Sequence, residues 1–265
     1  MADYALAVSD VEIARYRMMA QSAVKTESER WVFAGVVAGA TVADVGCGPA
    51  AISVELARRV RPGGHVLAVE REDSAIAAAR EVIRQSGVDN VDLRSAEAAA
   101  TGLAPSSIDV VMMRHVLAHN GGREQAIVDH LATLVRPGGT VYLADSDVTA
   151  IRTLDSDPDL EDLTVKYASF HRRRGNDPSI GLRLGKLLDA AGLEVISFDG
   201  LCAPVTVSPG MRPPVWAARD AMLAEGAADS ADLNRWEAAF ARTDRGAIRP
   251  TLFVPLFLAI ARRRV

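Results

Sequence analysis

Residues 42–50 read Val-Ala-Asp-Val-Gly-Cys-Gly-Pro-Ala. The first four form a short apolar run holding Asp44, the next residues turn through Gly46 and Gly48, and a helical stretch follows over 50–60. Valine at both ends of the run favours a strand. Glycine in the turn lets the backbone approach a ligand closely. Further strands are expected over 65–69, 91–94, 108–113, 140–144, 193–198 and 252–260, besides 41–45. Helical stretches at 74–86, with Gly87 as C-cap, and at 123–135 lie between them. Strands alternating with helices in this way define an α/β chain with a doubly wound parallel sheet.

Arg-Pro-Gly-Gly occurs at 61–64 and again at 136–139, each time between a helix and an apolar strand. Proline stops the helix and glycine permits the turn, so the echo is one of turn chemistry. Residues 179–198 read as an amphipathic helix, a stop at Gly192 and another strand. Segments 1–38, 146–178 and 200–248 break the alternation and read as largely helical, with Ile13, Tyr16 and Met19 spaced for one helix face. The chain is therefore expected to be one domain over 1–265, with a lid at 1–38, a core at 39–145 and cap insertions at 146–178 and 200–248.

The 265 residues are 49% hydrophobic and 24% charged, with a formal charge of -4, which suits a globular core and supplies no broad basic surface for nucleic acid. Cys47 and Cys202 stand far apart and in no metal-ligand spacing, so both are expected as reduced thiols of a cytoplasmic protein, and no residue is assigned to a metal. The amino terminus lacks the pattern of a secretory signal, and no run approaches the roughly 18 apolar residues of a membrane span. The sequence leaves the oligomeric state open, a homodimer included.

Gly46 to Ala51 fits the Gly-x-Gly-x-x-Gly/Ala pattern, and Glu70 closes the second strand where an acid can take two ribose hydroxyls. A nucleoside ligand follows. Asp44 then discriminates among nucleosides, because a carboxylate beside the turn repels a pyrophosphate and attracts an ammonium group. That charge pattern fits S-adenosylmethionine better than a nicotinamide dinucleotide. Pro49 suits the first turn of a helix whose amide is not needed for phosphate.

With VADVGCGPA at 42–50, HVLAVERED at 65–73, SAEA at 95–98, IDVVMMRHVLAH at 108–119, LVRPGGTVYLAD at 134–145 and DPSIGLRLGKLLDAAGLE at 177–194, the chain resembles the class I S-adenosylmethionine-dependent methyltransferases of the small-molecule type. The resemblance runs from about Asp10 to the end. It implies a Rossmann-like sheet of seven strands, mostly parallel with an antiparallel last strand, plus helical lid elements. It also implies that Asp44, Gly46, Cys47 and Gly48 meet the methionine part, that Glu70 binds the ribose, and that Arg71, Ala96, Glu97 and Ala98 surround the adenine. Arg114, Tyr16 and Gln21 are expected at the methionine end.

Ala50 stands where the loop of the family it resembles usually has a third glycine, which narrows the backbone's options but still fits a helix start. His119 is the candidate base, with His115 the alternative behind it, and Asp145 is a second candidate catalytic group, while His115, Tyr167, Phe170 and His171 are candidates for the acceptor pocket. Each of these also has an ordinary role open to it in packing or capping. Trp216 and Trp236 are expected to support the lid. Displacement at a sulfonium needs positioning more than a dedicated base, so methyl transfer to a small, partly apolar acceptor, such as a secondary metabolite, is the expected activity, at oxygen before nitrogen or carbon. The alternatives are a protein of this fold that binds the cofactor without methylating, and a nicotinamide-dependent oxidoreductase.

Overall fold

A computed structural model describes residues 10–202 and 204–265; the first nine residues of the expected lid lie outside them. The amino-terminal helix α1 (Asp10–Ala34) leads into β1 (Thr41–Val45), α2 (Ala51–Arg59), β2 (His65–Glu70), α3 (Asp73–Ser86), β3 (Val91–Ser95) and β4 (Ile108–Arg114). A 3-10 turn at Leu117–His119 precedes α4 (Glu124–Leu134) and β5 (Val135–Ser146). After the short β6 (Arg152–Leu154) come α5 (Pro158–Arg173), α6 (Leu184–Ala190), β7 (Glu194–Leu201) and β8 (Val205–Thr206). The chain ends with α7 (Arg219–Ala224), α8 (Ser230–Arg245), β9 (Thr251–Phe253) and β10 (Leu256–Arg262).

Seven strands form the main sheet in the order β3-β2-β1-β4-β5-β10-β7, parallel except for β10, which runs antiparallel to both its neighbours. Strand side chains alternate between faces, and here both faces are covered. Ala43, Val45, Val111, Met113, Val141 and Leu143 meet one core with Leu131 of α4 and Leu187 of α6. Val42, Val110, Met112, Tyr142 and Ala144 meet the other, with Trp31 of α1 and Leu56 of α2. The near-continuous apolar reading of these strands therefore reflects burial on two sides. Strand order reverses between β1 and β4, and in open sheets of this type the crevice for a ligand lies beyond the carboxyl ends at that point.

The expected helical segments 146–178 and 200–248 are helical only in part. Together with β9, they supply a three-stranded antiparallel sheet in the order β6-β9-β8. The single strand expected over 252–260 is in fact two, because Pro255 has no N–H to donate and interrupts the ladder. Its first half, β9, joins the small sheet, and its second half, β10, enters the main one. The second Arg-Pro-Gly-Gly likewise falls within the irregular start of β5, beside a register shift opposite Ile108–Val110. α5, α7 and α8 share a separate core of Leu163, Phe170, Val215, Met222, Trp236 and Phe240. Ion pairs from Arg235 and Arg242 of α8 to Asp157, Asp159 and Asp162 tie that helix to the start of α5.

The turn after β1 is held by packing as well as by conformation. Gly46 has φ +76°, and a Cβ built there would lie 2.3 Å from Val116 Cγ2. Gly46→Ala should therefore cost about 2 to 4 kcal/mol in urea unfolding, from a strained backbone plus overpacking. Adding Val116→Ala should recover the packing part alone, leaving a residual loss of about 1 to 2 kcal/mol.

Candidate active site

Beyond the carboxyl ends of β1, β2, β4 and β5 lies a cavity of about 490 Å³, roofed by α1 and continuous into the cap. Of the residues singled out from the sequence, Tyr16, Asp44, Gly46, Cys47, Gly48, Glu70, Arg71, Ala96, Glu97, Ala98, Arg114, His115, His119, Asp145 and Tyr167 all line it. Gln21 does not. It follows Tyr16 by five residues, about 140° around the helix, and is exposed in a shallow groove with Arg17, Glu55 and Gln85. Phe170 and His171 are also outside the lining. They lie one turn beyond Tyr167, where Phe170 is buried in the cap core and His171 is 3% exposed.

Within the turn, backbone amides are already committed. Gly46 N and Cys47 N both donate to Val69 O, at 2.8 and 3.0 Å, Gly48 N donates to Glu70 Oε2 at 2.9 Å, and Ala50 N donates to Cys47 O. Pro49 has no amide hydrogen, so the turn 46–50 offers none to a pyrophosphate. Pro49 lies outside α2, not in its first turn, and Ala50 is the cap residue at φ 60°, a left-handed conformation that costs an alanine more than a glycine.

Asp44 is 3% exposed and accepts from Ser53 Oγ through Oδ2 at 2.6 Å. Burial pushes its carboxyl up to about 6, against the opposing pull of Ser53 and Arg114. Glu70 is fixed more tightly: besides Gly48 N, it accepts from Arg71 N at 2.8 Å and Glu72 N at 3.1 Å through Oε1. Glu97 lies between two cations, Arg71 at 3.6 Å and Arg123 at 3.2 Å. Burial holds the Cys47 thiol well above its ordinary range, with Asp44 and Glu70 adding to the effect.

At the ends of β4 and β5, Asp145 accepts from Ala118 N at 3.2 Å and Ser146 N at 2.9 Å, and its Oδ1 lies 3.8 Å from His115 Nδ1. His119 stacks edge-on against His171, with centroids 5.0 Å apart. Burial draws the His119 imidazole down to about 4 and that of His171 to about 3. Both rings are thus neutral at physiological pH. His171 Nδ1 shares a hydrogen bond with Asn176 Nδ2 at 2.9 Å, and its Nε2 has no hydrogen-bond partner among the described residues.

Glu27 is the site residue that the sequence did not disclose. It is 1% exposed on α1 and receives Arg114 through two nitrogens at 2.5 and 3.2 Å, Tyr142 Oη at 2.8 Å and Trp31 Nε1 at 3.4 Å. Its one local signal is position: Ala20, Ala23, Trp31 and Ala34 make an apolar stripe in which Glu27 occupies a helical step. The apolar cap lining and Ser53 were missed too, having no motif to mark them.

A family model described as a methyltransferase domain matches residues 37–180, more than half of the chain. An arsenite methyltransferase from Halobacterium salinarum is 30% identical over 63% of this chain and 40% of its own length. A ubiquinone biosynthesis O-methyltransferase from Cupriavidus pinatubonensis is 38% identical over 41% of this chain and 42% of its own. The chain thus spans about two fifths of the length of these two relatives. An S-adenosylmethionine-dependent methyltransferase from Aquifex aeolicus has a similar fold, with a TM-score of 0.53 at 19% identity over 70% of this chain and 90% of that one. The chain belongs to the class I S-adenosylmethionine-dependent methyltransferases, and S-adenosylmethionine is the cofactor of that family. The residues present fit it: a close-approach glycine turn, a buried carboxylate within reach of the cavity and an acid at the end of β2. Among the described residues, no helix is long and apolar enough to cross a membrane.

The buried histidines set an acid limit on stability. In the unfolded chain each binds a proton near the ordinary value of 6.5, whereas the folded forms wait until about 4 and 3. The unfolded state then binds more protons, so stability is full above that value and falls as pH descends. Asp44, raised from 3.8 to about 6, works in the opposite sense and offsets part of the loss. His171→Phe should flatten the decline by roughly 2 to 3 kcal/mol between about pH 6.5 and 4.5, measured by urea unfolding across that range.

Proposed function

We propose that the protein transfers the methyl group of S-adenosylmethionine to a small acceptor with an apolar body, of the kind found among secondary metabolites, with oxygen as the favoured atom. One observation carries this: the cavity extends from the glycine turn into a cap whose lining is almost free of charge. Val207, Met211, Val215, Phe240, Leu252 and Val254 surround that end. Among the described lining residues from Val148 onward, Asp244 alone is charged, and Arg212 at 2.8 Å and the amide of Gly210 at 2.9 Å engage its carboxylate. Burial of an apolar body there contributes about 25 cal/mol per Å² removed from water.

The bound cofactor supplies a methyl group on a cationic sulfur. Asp44 pairs with its ammonium group, Glu70 takes the ribose hydroxyls, and Gly46, Cys47 and Gly48 bring the backbone against its methionine part. Arg71, Ala96, Glu97 and Ala98 form the adenine rim, and Tyr16 and Arg114 lie toward the roof and floor of the methionine end. The committed amides of the turn favour this cofactor over a dinucleotide, as the charge of Asp44 does.

Arsenite does not fit as the acceptor. Trivalent arsenic is a soft centre that binds thiolates, and the chain has two cysteines: Cys47, whose thiol is held protonated, and the exposed Cys202. Two unpaired thiols also accord with a reducing, cytoplasmic setting.

Transfer of label from methyl-labelled S-adenosylmethionine to a panel of apolar hydroxyl and amine compounds tests the proposal. Binding without labelled product across the panel would favour a role other than methylation. For the cofactor geometry, Asp44→Asn should weaken S-adenosylhomocysteine binding about tenfold or more in isothermal titration, the loss of one charged hydrogen bond. The raised carboxyl of Asp44 is ionised above about 6. Affinity of the parent protein should therefore decline as pH falls below that value, while the variant should show no such dependence.

A further inference from the structure

We infer that one face of the small sheet β6-β9-β8 is the platform on which the acceptor lies, that Thr153, Val205 and Leu252 are the row that sets its specificity, and that the acceptor is a rigid, flat, fused-ring molecule. This rests on the methyltransferase reading and deepens it by naming the shape of the acceptor. In the antiparallel ladders Thr153 and Val205 both stand opposite Leu252, one on each side. Directly opposed residues point to the same face of a sheet, and all three line the cavity. A step of two residues along each strand gives the same result, since Ile151, Val207, Pro250 and Val254 line the cavity as well. Val207 N donates to Pro250 O at 2.8 Å, which continues the pairing of β8 with β9. The residues between them, Arg152, Leu154, Thr206, Thr251 and Phe253, do not line it, and Leu154 is 67% exposed. One face of the sheet therefore meets the cavity and the other faces away.

The inner face is apolar apart from the Thr153 hydroxyl, yet it joins none of the hydrophobic cores formed by the described residues. Strands of three, two and three residues make a marginal sheet unless one face is covered. Here that cover falls to the contents of the cavity. The attachment of the sheet says what those contents are. β9 passes through Pro255 into β10, whose Leu256 pairs with Ser146 at the end of β5, and both of these residues line the cavity. The platform thus stands beside the carboxyl end of β5, in the same cavity as the glycine turn, and its occupant is the molecule that meets the cofactor.

Neighbouring strands lie about 4.8 Å apart, so the row from Thr153 through Leu252 to Val205 spans about 10 Å, and the run from Pro250 to Val254 covers roughly 13 Å along β9 and its flanks. That area has room for about two to three fused six-membered rings. The side chains that face it are short, and the valines, isoleucine and threonine among them are confined at χ1. No aromatic ring rises from this face. A level, stiff wall gives its full area to a body that is itself flat and rigid, whereas a flexible chain laid there loses rotational freedom at each bond.

Three probes of equal carbon number test the shape by isothermal titration of the full chain with S-adenosylhomocysteine bound: 2-naphthol, 1-naphthylamine and the flexible decan-1-ol. Both naphthyl compounds should bind about tenfold more tightly than decan-1-ol, although the alkyl alcohol is the more apolar. Equal or tighter binding by decan-1-ol, or binding by none of the three, would overturn the fused-ring assignment. Leu252→Ala should weaken 2-naphthol about fivefold or more with S-adenosylhomocysteine affinity unchanged, while Leu154→Ala, on the outer face of the same sheet, should alter neither. Equal losses in the two variants would make the sheet a mere support, and an unchanged affinity in Leu252→Ala would remove the row; either result overturns the platform. Amide exchange in the parent protein gives a reading that needs no variant. With S-adenosylhomocysteine present, 2-naphthol should slow exchange in β8 and β9 about fivefold or more and leave β3, at the far edge of the main sheet, unaffected. No slowing in β8 and β9 would overturn the placement. Failure to bind S-adenosylhomocysteine would instead remove the reading on which this one rests.

Discussion

The buried carboxylate of Glu27 holds the two halves of the site together. An ionised group taken out of water costs several kcal/mol unless its charge is matched and its lone pairs are used. Here Arg114 supplies the charge, and Tyr142 and Trp31 supply further donors. Burial and the same carboxylate push the Tyr142 phenol upward, so it remains a neutral donor. Three elements are joined in this way, α1 to β4 and β5. The buried stripe of α1 otherwise consists mainly of alanines around Trp31, so apolar volume alone would fix the position of the helix weakly. Tyr16 is eleven residues upstream, about 16 Å along the axis, and the roof over the glycine turn inherits its place from this anchor.

Two kinds of construction meet beneath that roof. On the donor side the site is largely backbone: Gly46 against Val116, amides spent on Val69, and Glu70 strapped across to Gly48. Such a surface is set by turn conformation and changes little with side-chain choice. On the acceptor side it is made of side chains from α5, α8, β9 and the loops between them. Those can be exchanged for others of similar volume without disturbing the sheet. A donor half fixed by backbone and an acceptor half built from replaceable side chains lets a fold keep one cofactor while its substrates vary.

What the sequence disclosed follows the same division. The strand–turn–helix at 42–50 and the sheet strands were legible because burial on two faces writes a local, near-continuous apolar run bounded by turn residues. Glu27 was not, since its partners Arg114 and Tyr142 are 87 and 115 residues away and only the folded chain brings them near. The break at Pro255 was present in the letters, but the apolar run on either side of it masked the change of partner. Gln21 was misplaced because a helix turns 100° per residue and proximity in sequence to Tyr16 does not mean a shared face. Phe170 and His171 fell to the cap core for a related reason: a helix that touches a cavity with one turn packs with the next.

Electrostatically, much of the positive charge around the site is matched by carboxylates or suppressed by burial. Glu27 neutralises Arg114, Arg71 lies between Glu72 and Glu97, and burial keeps His119 and His171 uncharged. The acidic residues Asp44, Glu70 and Asp145 line the cavity. Of the arginines that line the cavity, Arg71 and Arg114 are thus each paired with carboxylates, which weakens their repulsion of a cationic ligand. Asp145 and His115 stand at the ends of β5 and β4, where His115 Nδ1 lies 3.8 Å from Asp145 Oδ1.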